Sequence, residues 1–144
     1  MQKDDNNILH VLIVEDDADV RLVTKLSLST LANMQVSEAA SGDEAISHVT
    51  SNIFDAILLD VMMPEMDGPT TLKKIRELPN GTATPIIFLT AKVLPSEIER
   101  LQALSTYEVI TKPFDPLTLG DELQRIMNQP IQNGVLKEQN DASL

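Results

Sequence analysis

Residues 55–68 read DAILLDVMMPEMDG, and this stretch decides the fold. Residues 55–59 form a short, almost continuously apolar run, the composition of a strand covered on both faces. Asp60 follows at once, and then a loop shaped by Pro64 and Gly68. A buried strand that delivers a carboxylate at its end suits an open α/β sheet, where sites form beyond the carboxyl ends of the strands. Gly68 is expected at positive φ, where glycine carries no Cβ penalty. Met62, Met63 and Met66 read as soft loop packing.

Similar runs lie on either side: residues 8–14 (ILHVLIV), 85–90 (PIIFLT), 107–111 (YEVIT) and a weaker, alternating 34–39 (MQVSEA). Helix signals fill the gaps. Asp17 can cap a helix with Val20, Val23 and Leu26 three apart; Ser41 and Glu44 form a capping box; Pro69 suits a first turn before Leu72 and Ile75. Pro95 with a Ser96/Glu99 box precedes Ile98, Leu101 and Leu104, and Asp115–Pro116 precedes Leu119, Leu123 and Ile126. Each apolar stripe is read as core packing. Five strands alternating with five helices predict right-handed crossovers and a doubly wound, five-stranded parallel α/β sheet of the flavodoxin-like kind.

The bulk numbers agree. A chain of 144 residues with 42% hydrophobic residues can bury the core of one domain. No run of about 18 apolar residues is present, and the N-terminus, MQKDDNNILH, lacks the apolar run of a signal peptide; a soluble cytoplasmic protein is the expectation. There is no cysteine, hence no disulfide and no thiolate chemistry. With 22 acidic against 11 basic residues and a net charge of −11, the chain shows no basic face for nucleic acid. His10, in a strand, and His48, on a helix, have no partner at ligand spacing and read as structural.

Four strand ends carry unusual side chains: Glu15-Asp16-Asp17, Asp60, Thr90-Ala91 and Lys112-Pro113. In a parallel sheet all of them meet on one rim. Carboxylates at Glu15, Asp16 and Asp60 repel unless a cation or the Lys112 ammonium relieves them. Oxygen ligands without His or Cys suit a hard ion, Mg²⁺ or Mn²⁺. The structural alternative is capping by Asp16 or Asp17 plus a salt bridge to Lys112. A carboxylate beside a divalent ion can attack a phosphoryl group to give an acyl phosphate. Lys112, the Thr90 hydroxyl and the Ala91 backbone N–H can contact the phosphoryl oxygens.

The set VLIVEDD (11–17), LLDVMMPEMDG (58–68), LTA (89–91) and ITKPF (110–114), in this order, resembles the receiver domain of two-component response regulators. The resemblance covers residues 8–128, leaving 1–7 as an extension and 129–144 as a flexible polar tail. It implies Asp60 as phosphoacceptor, Glu15 and Asp16 as the acidic pair ordering Mg²⁺, and the Met62 backbone carbonyl as a further metal ligand. It implies Thr90 as the switch hydroxyl, Lys112 as the phosphate-pairing cation, and a Lys112–Pro113 bond of the often-cis kind that would aim the lysine. The donor would be a phosphohistidine on a histidine kinase or histidine phosphotransfer protein, docked near residues 20–26. The output would be a stand-alone switch of a protein–protein surface, with no direct DNA binding and no membrane. Such a domain is not an enzyme but assists its own phosphorylation and dephosphorylation.

The chain departs from that pattern at Val109, where receivers usually carry an aromatic residue; Tyr107 is expected on the same strand face. Met62 and Lys92 occupy variable flanking positions that tune access of water. Other readings fit less well. A docking-only receiver would lack a site residue, and none is missing. An aspartate-nucleophile phosphatase would place an acid where Met62 stands, and a flavin binder would not put Glu15-Asp16-Asp17 after its first strand.

Overall fold

The computed structural model describes residues 7–132 and 135–136. All but Asn7 of the expected extension at 1–7, and most of the expected tail at 129–144, therefore lie outside the described residues. Five strands form one parallel sheet in the order β2-β1-β3-β4-β5: β1 (His10–Val14), β2 (Gln35–Ala39), β3 (Ala56–Asp60), β4 (Ile86–Thr90) and β5 (Ile110–Thr111). The helices are α1 (Ala18–Leu26), α2 (Gly42–Ser51), α3 (Gly68–Arg76), α4 (Pro95–Ser105) and α5 (Leu119–Met127). No helix among the described residues is long and apolar enough to cross a membrane.

Period-two alternation along each strand sorts the core into two layers. Leu12, Val14, Ile57, Leu59, Ile86 and Phe88 pack with Ala45, Val49, Leu72, Ile75 and Leu101, so α2, α3 and α4 cover one face. Val11, Ile13, Ala56, Leu58, Ile87 and Leu89 pack with Leu28, Leu119, Leu123 and Ile126, so α1 with its extension and α5 cover the other. The central strands are buried along their length, as their unbroken apolar sequence requires.

Several caps stand as read. Asp17 Oδ1 accepts from Asp19 N at 2.9 Å and Val20 N at 3.2 Å, and Ser41 Oγ accepts from Glu44 N at 3.2 Å. Two do not. The residue capping α4 is Leu94, with no side-chain bond, so Ser96 lies inside the helix. Asp115 Oδ1 accepts from Leu117 N at 2.9 Å and closes a turn, which delays α5 to Leu119. The α1 stripe also differs from expectation. Val23 and Leu26 are exposed; Thr24 and Leu28, four apart, form the buried side instead, the helix continuing beyond Leu26 as a π-turn over Ser27–Leu31. Tyr107 and Val109 pack against opposite layers, since regular β5 is only two residues long. Past α5, Ile131–Gln132 pairs antiparallel with Val135–Leu136, Ile131 is buried, and its N–H donates to Thr106 O at 2.7 Å; polarity alone gave no sign of this hairpin.

Gly68 is the first residue of α3 and does not sit at positive φ; in that loop Glu65 does, at 69°. The constraint on Gly68 is space. A Cβ there would lie 2.6 Å from the Asp60 carbonyl oxygen and 2.9 Å from Val61 Cα. Its N–H donates to Val61 O at 2.9 Å, which folds the loop back beneath Asp60. Gly68→Ala is expected to destabilise the protein by about 1–3 kcal/mol, because the clash is with backbone rather than a mobile side chain. Urea unfolding checks this, and a midpoint equal to wild type would show that the loop yields freely.

Candidate functional site

Strand register explains why distant residues meet. Val14 is paired with Leu59, so Glu15 and Asp60 emerge side by side from β1 and β3. Asp60 is paired with Leu89, so Thr90 projects one step further along the same rim. Thr90 is paired with Thr111, and Lys112 N donates to Thr90 O at 2.8 Å, which places the lysine next in line. The Lys112–Pro113 peptide is cis.

Glu15, Asp60 and Thr90 are buried, whereas Asp16 and Ala91 are exposed and Lys112 is half-buried. Lys112 Nζ donates to Asp60 Oδ1 at 3.1 Å and lies 2.9 Å from Glu15 Oε1. The second contact is an ion pair without hydrogen-bond alignment, so Glu15 Oε1 is sealed from solvent with its charge balanced but no donor aimed at it. Glu15 Oε2 accepts from Asp17 N at 3.2 Å. Thr90 Oγ1 accepts from Lys92 N at 3.0 Å, which leaves its own proton free to donate. The Met62 side chain is exposed on the loop beyond Asp60.

One carboxylate oxygen from each of Glu15, Asp16 and Asp60 lies within 4.8 Å of the others. Three oxygens so spaced, with no sulfur or imidazole among them, fit a hard divalent cation. Among the described residues the structural alternative holds in part: Asp17 caps α1, and Lys112 bridges two of the acids. Asp16, however, neither caps nor pairs, so capping does not account for the cluster.

Burial, the largest influence, pushes the Asp60 carboxyl from an ordinary 3.8 up to about 7; the Lys112 hydrogen bond opposes this and the Glu15 charge adds to it. Burial pulls Lys112 down, but the close carboxylates of Glu15 and Asp60 outweigh it and hold the ammonium above its ordinary range.

Sequence reasoning located every one of these side chains but missed two features. Arg21 Nη1 donates to the Glu15 backbone carbonyl at 2.8 Å. An exposed apolar groove also runs past the site, lined by Val20, Val23, Ala91 and Phe114 and continuing along Leu26, Leu31 and Pro116. The spacing of Val23 and Leu26 was visible, but not the side on which the stripe would lie. His10 and His48 stand apart from the rim: His10 Nε2 is 2.8 Å from Ser37 Oγ, and both rings pack on Phe54.

A parallel sheet in this strand order, with an aspartate, two further carboxylates, a lysine and a hydroxyl on one rim, defines a signalling receiver. Residues 11–124 match the family model for the response regulator receiver domain, and the chain belongs to that family. It is 41% identical over 115 residues to transcriptional regulatory protein ResD of Bacillus subtilis (strain 168), a match covering 78% of this chain and 45% of ResD. It is 38% identical over 108 residues to transcriptional regulatory protein SrrA of Staphylococcus aureus (strain NCTC 8325 / PS 47), covering 74% and 42%. The chain thus spans about half the length of the curated relatives it matches. Among solved structures, the chemotaxis response regulator CheY4 of Vibrio cholerae superposes with TM-score 0.76 and 34% identity over 83% of this chain and 98% of that one. The receiver domain of sensor histidine kinase PA1611 from Pseudomonas aeruginosa, with a magnesium ion coordinated in its active site cleft, superposes with TM-score 0.74 and 31% identity, covering 84% and 98%.

The raised Asp60 value makes stability depend on pH. The folded protein holds a proton that the unfolded chain releases, so this contribution is complete below about pH 4 and is lost as pH rises toward 7. The melting temperature of metal-free wild type is therefore expected to fall relative to Asp60→Asn across that window. Parallel profiles for the two proteins would contradict the assignment.

Proposed function

We propose that Asp60 is a phosphoacceptor and that the chain is a protein-level switch driven by its modification. The observation that carries this is the position of Asp60: buried at the end of β3, with Glu15 and Asp16 beside it and the Lys112 ammonium on its oxygen at 3.1 Å. An Asp60 oxygen attacks the phosphorus of a phosphohistidine on a histidine kinase or histidine phosphotransfer protein. The P–N bond breaks, its electron pair returns to the imidazole, and an acyl phosphate remains on Asp60. Glu15, Asp16, Asp60 and the Met62 carbonyl would hold Mg²⁺, which supplies neutralisation of phosphoryl charge when bound.

The remaining residues divide the work. Lys112 leaves its bridging position to pair with a phosphoryl oxygen as a point charge. The Thr90 hydroxyl and the Ala91 N–H donate to others, and the movement of Thr90 carries the state outward. Hydrolysis of the acyl phosphate by water restores the carboxylate, with Met62 and Lys92 at the mouth of the site tuning access. No turnover of an external substrate is required, so the chain acts as a switch rather than an enzyme. Val109 contributes no ring to the output face; α4, β5 and α5 signal through packing alone. With a net charge of −11, the domain's own output is a contact with another protein rather than with DNA.

Intact-mass measurement after treatment with acetyl phosphate and Mg²⁺ tests the chemistry: wild type gains one phosphoryl mass and Asp60→Asn gains none. An adduct on both, or on neither, would end the proposal. The apolar groove beside α1, with Leu22, Val23 and Leu26 exposed, suits a partner that presents its phosphohistidine to Asp60. Leu22→Ala with Leu26→Ala is expected to slow transfer from the cognate phosphohistidine protein by about tenfold or more, as loss of interface anchors does. Labelling by acetyl phosphate should be unchanged, and equal slowing with both donors would remove the docking role.

A further inference from the structure

The two buried acids of the cluster are held by Lys112, whereas Asp16 is not: among the described residues its carboxylate makes no hydrogen bond or ion pair, and it is exposed. What orients Asp16 is its backbone. The Glu15–Asp16 peptide is planar, so fixing the Glu15 carbonyl also fixes the direction in which Asp16 leaves the strand. That carbonyl accepts a hydrogen bond from Arg21 Nη1 at 2.8 Å. On the other side of Glu15, its N–H donates to Ala39 O at 3.0 Å. The same guanidinium places Nε 3.5 Å from Glu38 Oε1 at the end of β2, and Lys25 Nζ holds the other oxygen of Glu38 at 3.1 Å. Glu15 is thus clamped by β2 in front and α1 behind, and the clamp is anchored to β2 through Glu38.

We propose that Arg21 is a positioning residue for the divalent cation: its planar fork fixes the Glu15–Asp16 peptide so that the Asp16 carboxylate joins those of Glu15 and Asp60. This rests on the reading of those three acids as the metal site. Arg21 touches neither the cation nor the phosphoryl group. Its effect has a sign opposite to its charge. A cation beside a divalent-metal site repels the metal, so removing its charge alone would tighten binding. Removing the bond that aims a ligand weakens it, by about 10–100-fold where such outer contacts have been lost. Lys25 is the internal control. It lies one helical turn further on, carries the same charge and pairs with the same Glu38, but makes no bond to the Glu15 carbonyl.

Calorimetric titration of the unphosphorylated 144-residue chain with Mg²⁺ decides the matter, using wild type, Arg21→Met and Lys25→Met. Methionine keeps an unbranched stem and good helix propensity, so α1 persists. Arg21→Met is expected to bind Mg²⁺ about tenfold more weakly, with a metal-free melting curve close to wild type. Its acetyl phosphate labelling should return to the wild-type rate when Mg²⁺ is raised to saturation. Lys25→Met should bind as tightly as wild type or more tightly. Arg21→Lys keeps the charge but offers one point donor in place of the fork, and should weaken binding in the same direction as Arg21→Met; it serves if the methionine variant does not fold. Wild-type affinity in the Arg21 variants, or equal weakening by Lys25→Met, would overturn the positioning role. If wild type showed no saturable Mg²⁺ binding, the metal site itself would fall, a result distinct from failure of the Arg21 proposal.

Discussion

The Lys112 ammonium, set between Glu15 and Asp60, is the interaction on which the site depends. Two carboxylates that are nearly inaccessible to water stand side by side at the ends of adjacent strands. In a low-dielectric setting such a pair is strongly destabilising unless a positive charge reaches both. One lysine does so, at 2.9 Å and 3.1 Å, while keeping contact with solvent itself. An ammonium in that place also makes the rim adaptable. It is a point charge on a flexible stem, able to move from a carboxylate to an incoming anion without leaving a rigid hydrogen-bond pattern broken.

The fold supplies what the lysine needs. Parallel strands in the order β2-β1-β3-β4-β5 put β1 and β3 next to each other, so both acidic ends open onto one crevice where the chain reverses direction. The helices divide two and three between the faces, and each layer reaches the rim through a different loop. The α1 layer ends in the exposed apolar groove beside Asp60, and Val109, just before β5, packs into the α4 layer. The Asp60 carboxylate therefore lies between two separate surfaces, the apolar groove along α1 and the layer built by α2, α3 and α4.

Most of this was legible along the chain because chemistry and topology coincide. Glu15, Asp16, Asp60, Thr90 and Lys112 each lie at or just beyond the end of a strand run, and a parallel sheet brings every such position to the same edge. The errors share a different cause. Val20, Val23 and Leu26 have helical spacing, yet spacing does not say which side of a helix meets the sheet; Thr24 and Leu28 take the inner side, which leaves Val23 and Leu26 outside. Tyr107 and Val109 are two apart, but the rule that such residues share a face holds only within a regular strand, and β5 begins at Ile110. Gly68 reads as a residue chosen for its backbone freedom and is in fact required for the closeness of Asp60 and Val61.

By itself, then, the sequence determined the alternation of buried strands with amphipathic helices and the identity of the polar residues at strand ends, because both depend on local composition and period. Only the tertiary structure decided which atoms pair: Lys112 with two acids at once, Arg21 with the Glu15 carbonyl, Ile131 with the end of α4. Those contacts join positions separated by strand register and helix rotation. Register and rotation are set by how whole layers pack, and no short stretch of chain carries that information.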